Sequence, residues 1–436
     1  MTLIKYPTKI NLDKYIVDSN ETFYGLPSNV TYCKTCVMSN QKPNSDIEHE
    51  NNPNRDKKTL GFHEDGRCDA CHITEWKNNN TVDWEKRERE LVDLCDKYRS
   101  RNSSYDCLVP GSGGKDSFYQ AHILKYKYNM NPLTVTWSPH MYTEWGWKNF
   151  QSWINAGFNN YLMTPNTKVR RLLTRLSLEN LLHPFQSFII GQKSFAPKIA
   201  SKFNIPLIFY GESDAEYGCG EMEKFNTPLR DMSFSTIKDK KDLFFGGVPY
   251  SSLVNDFGLT DADLSIYTPL HIDDISKSQV QFHDLGYYLK WHPQSCYYYA
   301  VEHGGFIASP ERTQGTYSKY NSIDDKMDDF HYYTTGIKFG IGRATYDASQ
   351  EIRSDDITRE EGVSLVNKFD HEYPDRFEND VFKYVSVNSH EYPIASKCFE
   401  QPIMNKEYFN LLCDNFRSPH LWKYDNNKWM LRNIIK

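Results

Sequence analysis

The chain of 436 residues carries 51 lysine and arginine side chains against 57 aspartates and glutamates. This length allows two or three domains, and the slight acidic excess argues against a broad nucleic-acid surface, though not against a local basic groove. No apolar run is long enough to span a bilayer, and the first residues lack the apolar stretch of a signal peptide. We therefore expect a soluble, cytoplasmic protein with neither a membrane nor a nucleic acid as its partner.

Two pairs of closely spaced cysteines lie in the first hundred residues. Cys33 and Cys36 form the first pair, and Cys68 and Cys71 follow after 31 intervening residues. In a reducing compartment this spacing indicates a metal rather than disulfides, and four thiolates suit structural zinc. Residues 44–58 account for the long separation, because they are polar and rich in turn formers and are predicted to form a surface loop. We predict a zinc-ribbon-like module that binds structural Zn²⁺; four unligated thiols are the alternative.

Residues 81–98 are predicted to form a linking helix between this module and the rest of the chain. Their apolar side chains recur at helical spacing, and their many charges are expected to form a solvated face. Residues 105–109 are short and apolar, as in a buried strand, and residues 118–128 contain neither Gly nor Pro, as in a helix. The segment between this strand and this helix carries the most informative motif of the sequence.

That motif is a glycine-rich turn with the order Ser112, Gly113, Gly114, Lys115, Asp116 and Ser117. A strand, a glycine turn and a helix together aim backbone N–H groups and a helix N-terminus at a phosphate. The glycines allow the backbone to approach an anion closely, the serines can donate hydrogen bonds to it, and Lys115 adds positive charge. Asp116 does not suit a pure anion site, so we expect it to orient the loop or to help hold Mg²⁺. The spacing is not that of Walker A, and a turn without a ligand is the alternative.

The following segments alternate between strand and helix, as in parallel α/β folds. We predict strands at 132–137, 158–163 and 205–210 and a helix at 169–182. Because ligands bind beyond the carboxyl ends of such strands, the loops after residues 109, 137, 163 and 210 should surround one site.

The rest of the chain gives weaker signals. Residues 219–265 are predicted to form an insertion, and a helix is predicted from about residue 273 towards Gly286. The last hundred residues show helical stretches. We therefore predict three domains: residues 1–98 with an amino-terminal arm and the cysteine module, 99–300 with the α/β core, and a mainly helical region at 301–436.

Together these motifs resemble the N-acetyl sugar amidotransferases of the PseA and WbpG type, which belong to the PP-loop ATP pyrophosphatases. The resemblance runs from Cys33 to beyond Glu361. It is carried by both cysteine pairs with their neighbours, by the glycine turn, and by the segments at 134–137, 183–185, 191–193 and 210–217. It implies a PP-loop ATPase core, which is a HUP-like and Rossmann-like parallel sheet.

The resemblance also implies an activity. Such an enzyme uses ATP and Mg²⁺ to convert the N-acetyl group of a sugar to an acetamidino group, with ammonia as the nitrogen donor. Pseudaminic acid, as in flagellin glycosylation, legionaminic acid and lipopolysaccharide sugars are the expected substrate types. The implied catalytic residues are Lys115, Asp116, Glu212, Glu216 and Lys277, and Gly191 and Gly211 join the turn and residues 137–138 as nucleotide-binding positions. Helix capping and loop hydrogen bonding are the alternative roles for Glu212 and Glu216, and a plain surface lysine is the alternative for Lys277. Trp137 and Ser138 are expected to frame the adenine, with a place in the core as the alternative for Trp137.

Two further expectations concern the substrates. An acidic sugar requires a cation on the sugar side of the site, and Arg312, Lys319 and Lys326 are the candidates, with Arg312 favoured because it can form a bidentate contact with a carboxylate. A solvated charged loop is the alternative. No cysteine lies in a recognisable glutaminase motif, so ammonia should come from a separate glutaminase subunit or from free ammonium.

Two other functions are alternatives to the predicted sugar amidotransferase activity. Some PP-loop proteins with zinc knuckles thiolate tRNA, but the acidic balance and the scattered later cysteines argue against that activity. A binding or scaffold protein without catalysis would retain the fold, but the intact glycine turn argues against it.

Overall fold

The structure is a computed structural model that describes residues 9–79, 81–218 and 225–436. Its strands are β1 (Cys107–Pro110), β2 (Pro132–Trp137), β3 (Asn160–Met163), β4 (Leu207–Tyr210), β5 (Thr236–Ile237), β6 (Phe244–Phe245), β7 (Val248–Pro249), β8 (Leu270–His271), β9 (Gln281–Asp284), β10 (Trp422–Asp425) and β11 (Lys428–Leu431).

Helices account for most of the remaining regular structure. They are α1 (Asp13–Ile16), α2 (Asp69–Asn78), α3 (Trp84–Tyr98), α4 (Lys115–Tyr126), α5 (Glu144–Asn155), α6 (Thr167–Leu181), α7 (Gln186–Phe203), α8 (Tyr250–Asn255), α9 (Asp261–Leu264), α10 (Ile272–Ser278), α11 (Leu285–Tyr288), α12 (Pro293–Gly304), α13 (Asp328–Phe339), α14 (Arg343–Arg353), α15 (Arg359–Phe369), α16 (Glu378–Val385) and α17 (Lys406–Asn415).

A five-stranded parallel sheet with the order β3-β2-β1-β4-β9 forms the centre of the molecule. Successive residues of β1 face opposite sides, because side chains alternate along a strand. Leu108 packs with α6 and α7 on one face. Cys107 and Val109 pack with α3, α4, α5 and α12 on the other. Helices on both faces of a parallel sheet define an α/β fold, so this part of the fold prediction is confirmed.

The predicted strands and helices lie close to their observed positions. The strand at 132–137 is β2, and the helix at 169–182 is α6 with its bounds shifted by up to two residues. The linking helix is α3, which begins after Asp83, whose side chain accepts a hydrogen bond from the Lys86 backbone N–H. Through Leu91 and Cys95 this helix packs directly against the sheet, so it is part of the core rather than a spacer.

One predicted helix ends earlier than expected. The helix predicted towards Gly286 stops at Ser278, because Gln279 adopts a left-handed conformation with φ of 55°. Residues Gln281–Asp284 then form β9, which pairs with β4 as an edge strand of the central sheet. This strand is short and three of its four residues are polar, so its sequence carries no strand pattern and the pairing comes from tertiary structure.

The cysteine module and the carboxy-terminal region share a hydrophobic cluster. Val37 and Leu60 of the module pack with Phe339, Ile352 and Leu421. The phenol of Tyr15 also donates a hydrogen bond to the Arg417 carbonyl at 2.8 Å. The first and last parts of the described chain therefore pack against each other.

The insertion predicted at 219–265 is described from residue 225 onwards. It consists of short strands and helices that bring Leu243, Phe245 and Leu253 onto the α6–α7 face of the sheet. Among the helices of the described residues, none combines the length and apolar character that crossing a bilayer requires.

Candidate active site

A pocket of about 440 Å³ lies beyond the carboxyl ends of β1, β2 and β4. This is the edge at which ligands bind in parallel α/β sheets, and the volume falls in the range of small-molecule sites. Residues from several elements meet there: the glycine turn, the end of β2, the first half of α7, the loop after β4, residues 320–325 and one side of α14. Met38 and Lys42 of the cysteine module also line it.

The glycine turn forms one wall of this pocket, as the sequence predicted. Ser112, Gly113, Gly114, Lys115 and Asp116 all line it. Gly113 has φ of 89°, which only glycine adopts without strain, and Gly114 precedes the first turn of α4. The backbone N–H groups that begin α4 lack partners within the helix, so this end of the helix attracts an anion.

Two carboxylates lie close together beside the turn. The Lys115 ammonium contacts the Asp116 carboxylate at 2.6 Å, and this pairing outweighs burial and raises the pKa of Lys115. Burial, and then the negative charge of Asp116, raise the pKa of Glu212. The Tyr217 hydroxyl donates to Glu212 at 2.5 Å and accepts a hydrogen bond from Gln350 at 3.2 Å. Two carboxylates held at one pocket wall are suitable ligands for a divalent cation.

Trp137 borders the pocket at the end of β2. Its side chain is only 5 % exposed, and its indole N–H has no hydrogen-bond partner within the described structure. A buried donor without a partner is costly unless a ligand or a water accepts from it. Gly191 allows this ring to pack, because a Cβ at that position would lie 2.1 Å from the indole. Gly191 thus acts through Trp137 and does not itself line the pocket.

Three other predicted nucleotide-binding residues lie behind the pocket wall. Ser117 donates to the Gly114 carbonyl at 3.0 Å and so fixes the turn. The Ser138 hydroxyl accepts from the Arg170 guanidinium at 3.1 Å. Gly211 is buried, and a Cβ there would lie 2.8 Å from the Gln120 amide nitrogen. These residues support the site without lining it.

Two predicted catalytic residues also lie outside the pocket. Glu216 lines a smaller adjacent cavity of about 290 Å³ and forms an ion pair with Lys77 at 2.6 Å. Lys277 lies on the surface near the end of α10, with its side chain 78 % exposed and Asp274 3.8 Å away. The structure thus separates Lys277 from the glycine turn.

The three cations expected on the sugar side do not line the pocket either. The Arg312 guanidinium forms a bidentate pair with Glu372 at 2.6 and 2.7 Å. Lys326 pairs with Asp380 at 2.6 Å, and Lys319 donates to the Pro310 carbonyl at 2.9 Å. Residues 320–325 of the same region do line the pocket, whereas these three side chains form contacts with other parts of the protein.

One side of α14 supplies functional groups that the sequence reasoning missed. The helix turns once every 3.6 residues, so positions three or four apart share a face. The pocket-lining residues of α14 follow this rule: Arg343, Tyr346, Asp347, Gln350 and Arg353. This polar periodicity was visible in the sequence, but nothing in the sequence indicated which element it would face.

Arg343 is one of the two arginines of α14 that line the pocket. Its guanidinium lies 2.9 Å from Asp347 and also contacts the Tyr332 hydroxyl, and its side chain is 16 % exposed. Asp324 and Asp328 line the pocket beside it. Burial, together with neighbouring aspartates, raises the pKa of Asp328. This part of the pocket lining thus combines two arginines, Arg343 and Arg353, with several carboxylates and the aromatic side chains of Tyr320 and Tyr346.

The four cysteines lie together, as their spacing predicted. All four are buried, and their sulfur atoms lie within 4.8 Å of one another. The Cys33–Cys71 and Cys36–Cys68 sulfur distances are 3.7 and 3.8 Å. Tetrahedral zinc with Zn–S bonds of about 2.3 Å requires sulfurs about 3.8 Å apart, so the cluster fits this metal. Backbone N–H groups of Thr35, Met38 and Cys68 also donate to the sulfurs, as thiolates require.

These features define an α/β protein with a zinc-compatible cysteine module and a deep polar pocket at the carboxyl edge of its parallel sheet. Residues 314–436 match the family model described as "LPS biosynthesis protein WbpG-like, C-terminal domain". The chain therefore carries a carboxy-terminal domain similar to that of WbpG-like proteins, which is called the WbpG-like domain below. This description indicates a protein of lipopolysaccharide or sugar biosynthesis. No curated protein matches the chain.

Proposed function

We propose that this protein is an ATP-dependent N-acetyl sugar amidotransferase. It would replace the carbonyl oxygen of an acetamido group by nitrogen, giving an acetamidino group, AMP and pyrophosphate. One observation carries the proposal: the glycine turn, the Asp116 and Glu212 carboxylates, and α14 of the WbpG-like domain line a single pocket. A nucleotide on the turn and a sugar against the WbpG-like domain would thus meet within it.

The nucleotide is assigned to the side of the glycine turn. In this proposal the core is a PP-loop ATPase, and the N–H groups that begin α4 hold the departing pyrophosphate with Lys115. The indole N–H of Trp137 would donate to an acceptor of the bound nucleotide, which satisfies a buried donor that has no other partner among the described residues. Asp116 and Glu212 would hold Mg²⁺, which neutralises charge on the phosphates.

The chemistry requires activation of a poor leaving group. An amide does not expel its oxygen at neutral pH, so that oxygen attacks the α-phosphorus of ATP and pyrophosphate leaves. Ammonia then adds to the resulting imidate carbon and loses a proton, the C–O bond breaks, and AMP departs with the oxygen. The residues of this chain hold the reacting groups in line and stabilise the charge that develops on the phosphate.

The sugar is assigned to the wall formed by α14 and residues 320–325. Aromatic faces such as Tyr320 and Tyr346 suit a sugar ring, and carboxylates accept hydrogen bonds from its hydroxyls. Arg343 replaces Arg312, Lys319 and Lys326 as the cation for an acidic sugar, because it lines the pocket and they do not. A nonulosonic acid or a lipopolysaccharide sugar remains the proposed substrate class, with ammonia from a separate glutaminase subunit or from free ammonium.

A mass-spectrometric assay tests this function. The protein is incubated with ATP, Mg²⁺, ammonium and a panel of acetamido sugars, free and nucleotide-linked, and the sugars are examined for the mass change of O replaced by NH. We expect this change together with equal amounts of AMP and pyrophosphate. Asp116→Ala and Ser112→Ala should abolish pyrophosphate release while the far-UV circular dichroism spectrum stays unchanged.

The controls separate this function from its competitors. Lys277→Ala serves as a matched variant, because its side chain lies on the surface, and it should retain activity. Full turnover by Asp116→Ala would show that the turn is not the nucleotide site. ATP cleavage that needs no sugar, combined with retention on tRNA at physiological salt, would favour tRNA modification instead.

A further inference from the structure

Arg353 connects the cysteine cluster to the pocket. It is the last residue of α14, and its side chain lines the main pocket and also the adjacent cavity that contains Glu216. From this position its guanidinium donates to the Cys36 sulfur at 3.8 Å. The same side chain therefore contacts a predicted zinc ligand and borders the proposed nucleotide site.

The charge of the cluster favours this contact. Four thiolates around one Zn²⁺ carry a net charge of −2, so a neighbouring cation is attracted. Arginine has five N–H donors in a rigid planar fork, and the contact with Cys36 uses one of them. The end of a helix also favours a positive side chain, because the last carbonyl groups carry partial negative charge. One nitrogen of the Arg353 guanidinium is thus held by the Cys36 sulfur, and its other N–H groups can donate to a second acceptor.

Hydrogen bonds connect α14 to Glu212, one of the two carboxylates beside the glycine turn. Gln350 lies one turn before Arg353 and donates to the Tyr217 hydroxyl, which in turn donates to Glu212. Met38 and Lys42, which follow Cys36 closely in the chain, line the same pocket. The cysteine module is thus part of the pocket wall rather than a separate appendage.

We propose that Arg353 binds an anionic group of the ligand, of the phosphate or pyrophosphate class, and that the metal-loaded cysteine cluster positions it. This inference rests on the proposed function for its ligand. Metal binding would then control affinity for the anion as well as the fold of the module. A cluster that merely stabilises the module, with Arg353 as its counter-ion, is the simpler alternative, and the two differ in measurable ways.

The experiment measures binding of ATP and of pyrophosphate by isothermal titration calorimetry, with zinc content determined in parallel. The variants are Arg353→Met, Arg353→Lys and the matched control Arg89→Met, whose side chain is 66 % exposed on α3. We expect Arg353→Met to retain zinc and to bind pyrophosphate at least tenfold more weakly, Arg353→Lys to bind with intermediate affinity, and Arg89→Met to behave as wild type. Unchanged affinity in Arg353→Met would overturn the inference.

Metal removal tests the second half of the proposal. Stripping zinc from the wild type with a chelator should weaken pyrophosphate binding to the level of Arg353→Met, and stripping it from that variant should have no further effect. An equal loss in both proteins would show that the cluster does not act through Arg353. If stripping unfolds the module, Cys36→His keeps a zinc ligand but removes the sulfur acceptor, and weaker pyrophosphate binding with retained zinc is expected.

The failure of this inference is distinguishable from failure of the proposed function. A wild type that forms acetamidino sugar, with an Arg353→Met variant of unchanged affinity, contradicts only the inference. A wild type that binds pyrophosphate as expected but modifies no sugar contradicts only the function. Absence of both ATP and pyrophosphate binding contradicts both.

Discussion

The two glycines of the turn should respond differently to the same substitution. A Cβ added to Gly113 would lie 2.7 Å from the Phe150 Cα and 2.9 Å from the Asn149 carbonyl oxygen, both of which belong to the backbone of α5. Gly113 also has φ of 89°, which disfavours every residue with a side chain. At Gly114, φ is −66° and the nearest atom to an added Cβ is the Ser112 hydroxyl, 3.7 Å away.

The size of the effect follows from these contacts. The left-handed backbone costs alanine about 1–2 kcal/mol, and displacing a packed helix backbone typically costs about 1–3 kcal/mol more. We therefore expect Gly113→Ala to lower the free energy of unfolding by about 2–5 kcal/mol. Gly114→Ala should change it by no more than about 0.5 kcal/mol, because its Cβ meets no close neighbour. That Cβ would instead stand beside the nucleotide in the proposed site, so the affinity for ATP should fall.

Urea denaturation and calorimetric titration with ATP check this pair of predictions. The expected pattern is a loss of stability in Gly113→Ala, and a loss of ATP affinity without a loss of stability in Gly114→Ala. Equal destabilisation by both substitutions would refute the geometric argument about the turn. Wild-type ATP affinity in Gly114→Ala would refute the placement of the nucleotide against it.

Three further predictions concern the metal, pH and the substrate. Cys68→Ser should lower zinc content and solubility together, because metal binding is part of the folding energy of such a module, and a soluble, fully active, metal-free variant would exclude a structural metal. Burial lowers the pKa of Lys338 to about 7, so the unfolded chain binds a proton that the folded chain lacks between pH 7 and about 10.4. The contribution of Lys338 to the free energy of unfolding therefore rises with pH in that window. Lys338→Met should reduce the slope of the free energy of unfolding against pH by up to about 1.4 kcal/mol per pH unit. An identical slope in the variant and the wild type would contradict this prediction. Arg343→Ala should raise the KM for an acidic acetamido sugar far more than the KM for ATP, whereas Arg312→Ala should lower thermal stability and leave both KM values near wild type; the reverse result would restore Arg312 to the sugar side.

The parts of this protein that depend on local sequence were predictable from it. The strand, glycine turn and helix at residues 105–128 are contiguous, so their geometry follows from residue types alone. The four cysteines are also local in pairs, and metal coordination dictates how two such pairs combine. For these features the structure agrees with the sequence, and the sulfur distances agree with a tetrahedral ion.

The second wall of the pocket was decided by tertiary structure. Arg312, Lys319 and Lys326 were reasonable candidates, but each finds a partner supplied by packing elsewhere, such as Glu372 for Arg312. Arg312 does not line the pocket, and two of its donors are used by the Glu372 carboxylate. Which cation remains at the pocket depends on which helix packs over the sheet, and a single sequence does not contain that information.

Strand β9 and the pocket-lining face of α14 also depend on long-range packing that a single sequence does not specify. Gln281–Asp284 forms a strand because β4 offers an unpaired edge, not because its residues favour that conformation. The polar period of α14 indicates an amphipathic helix, but the cysteine module, α13 and the sheet together determine that this face closes the pocket and brings Arg353 to Cys36. The sequence by itself therefore determined the conformation of the glycine turn and the clustering of the four cysteines, where neighbours along the chain suffice. Tertiary structure alone decided which distant side chains complete the site, because their positions depend on long-range packing.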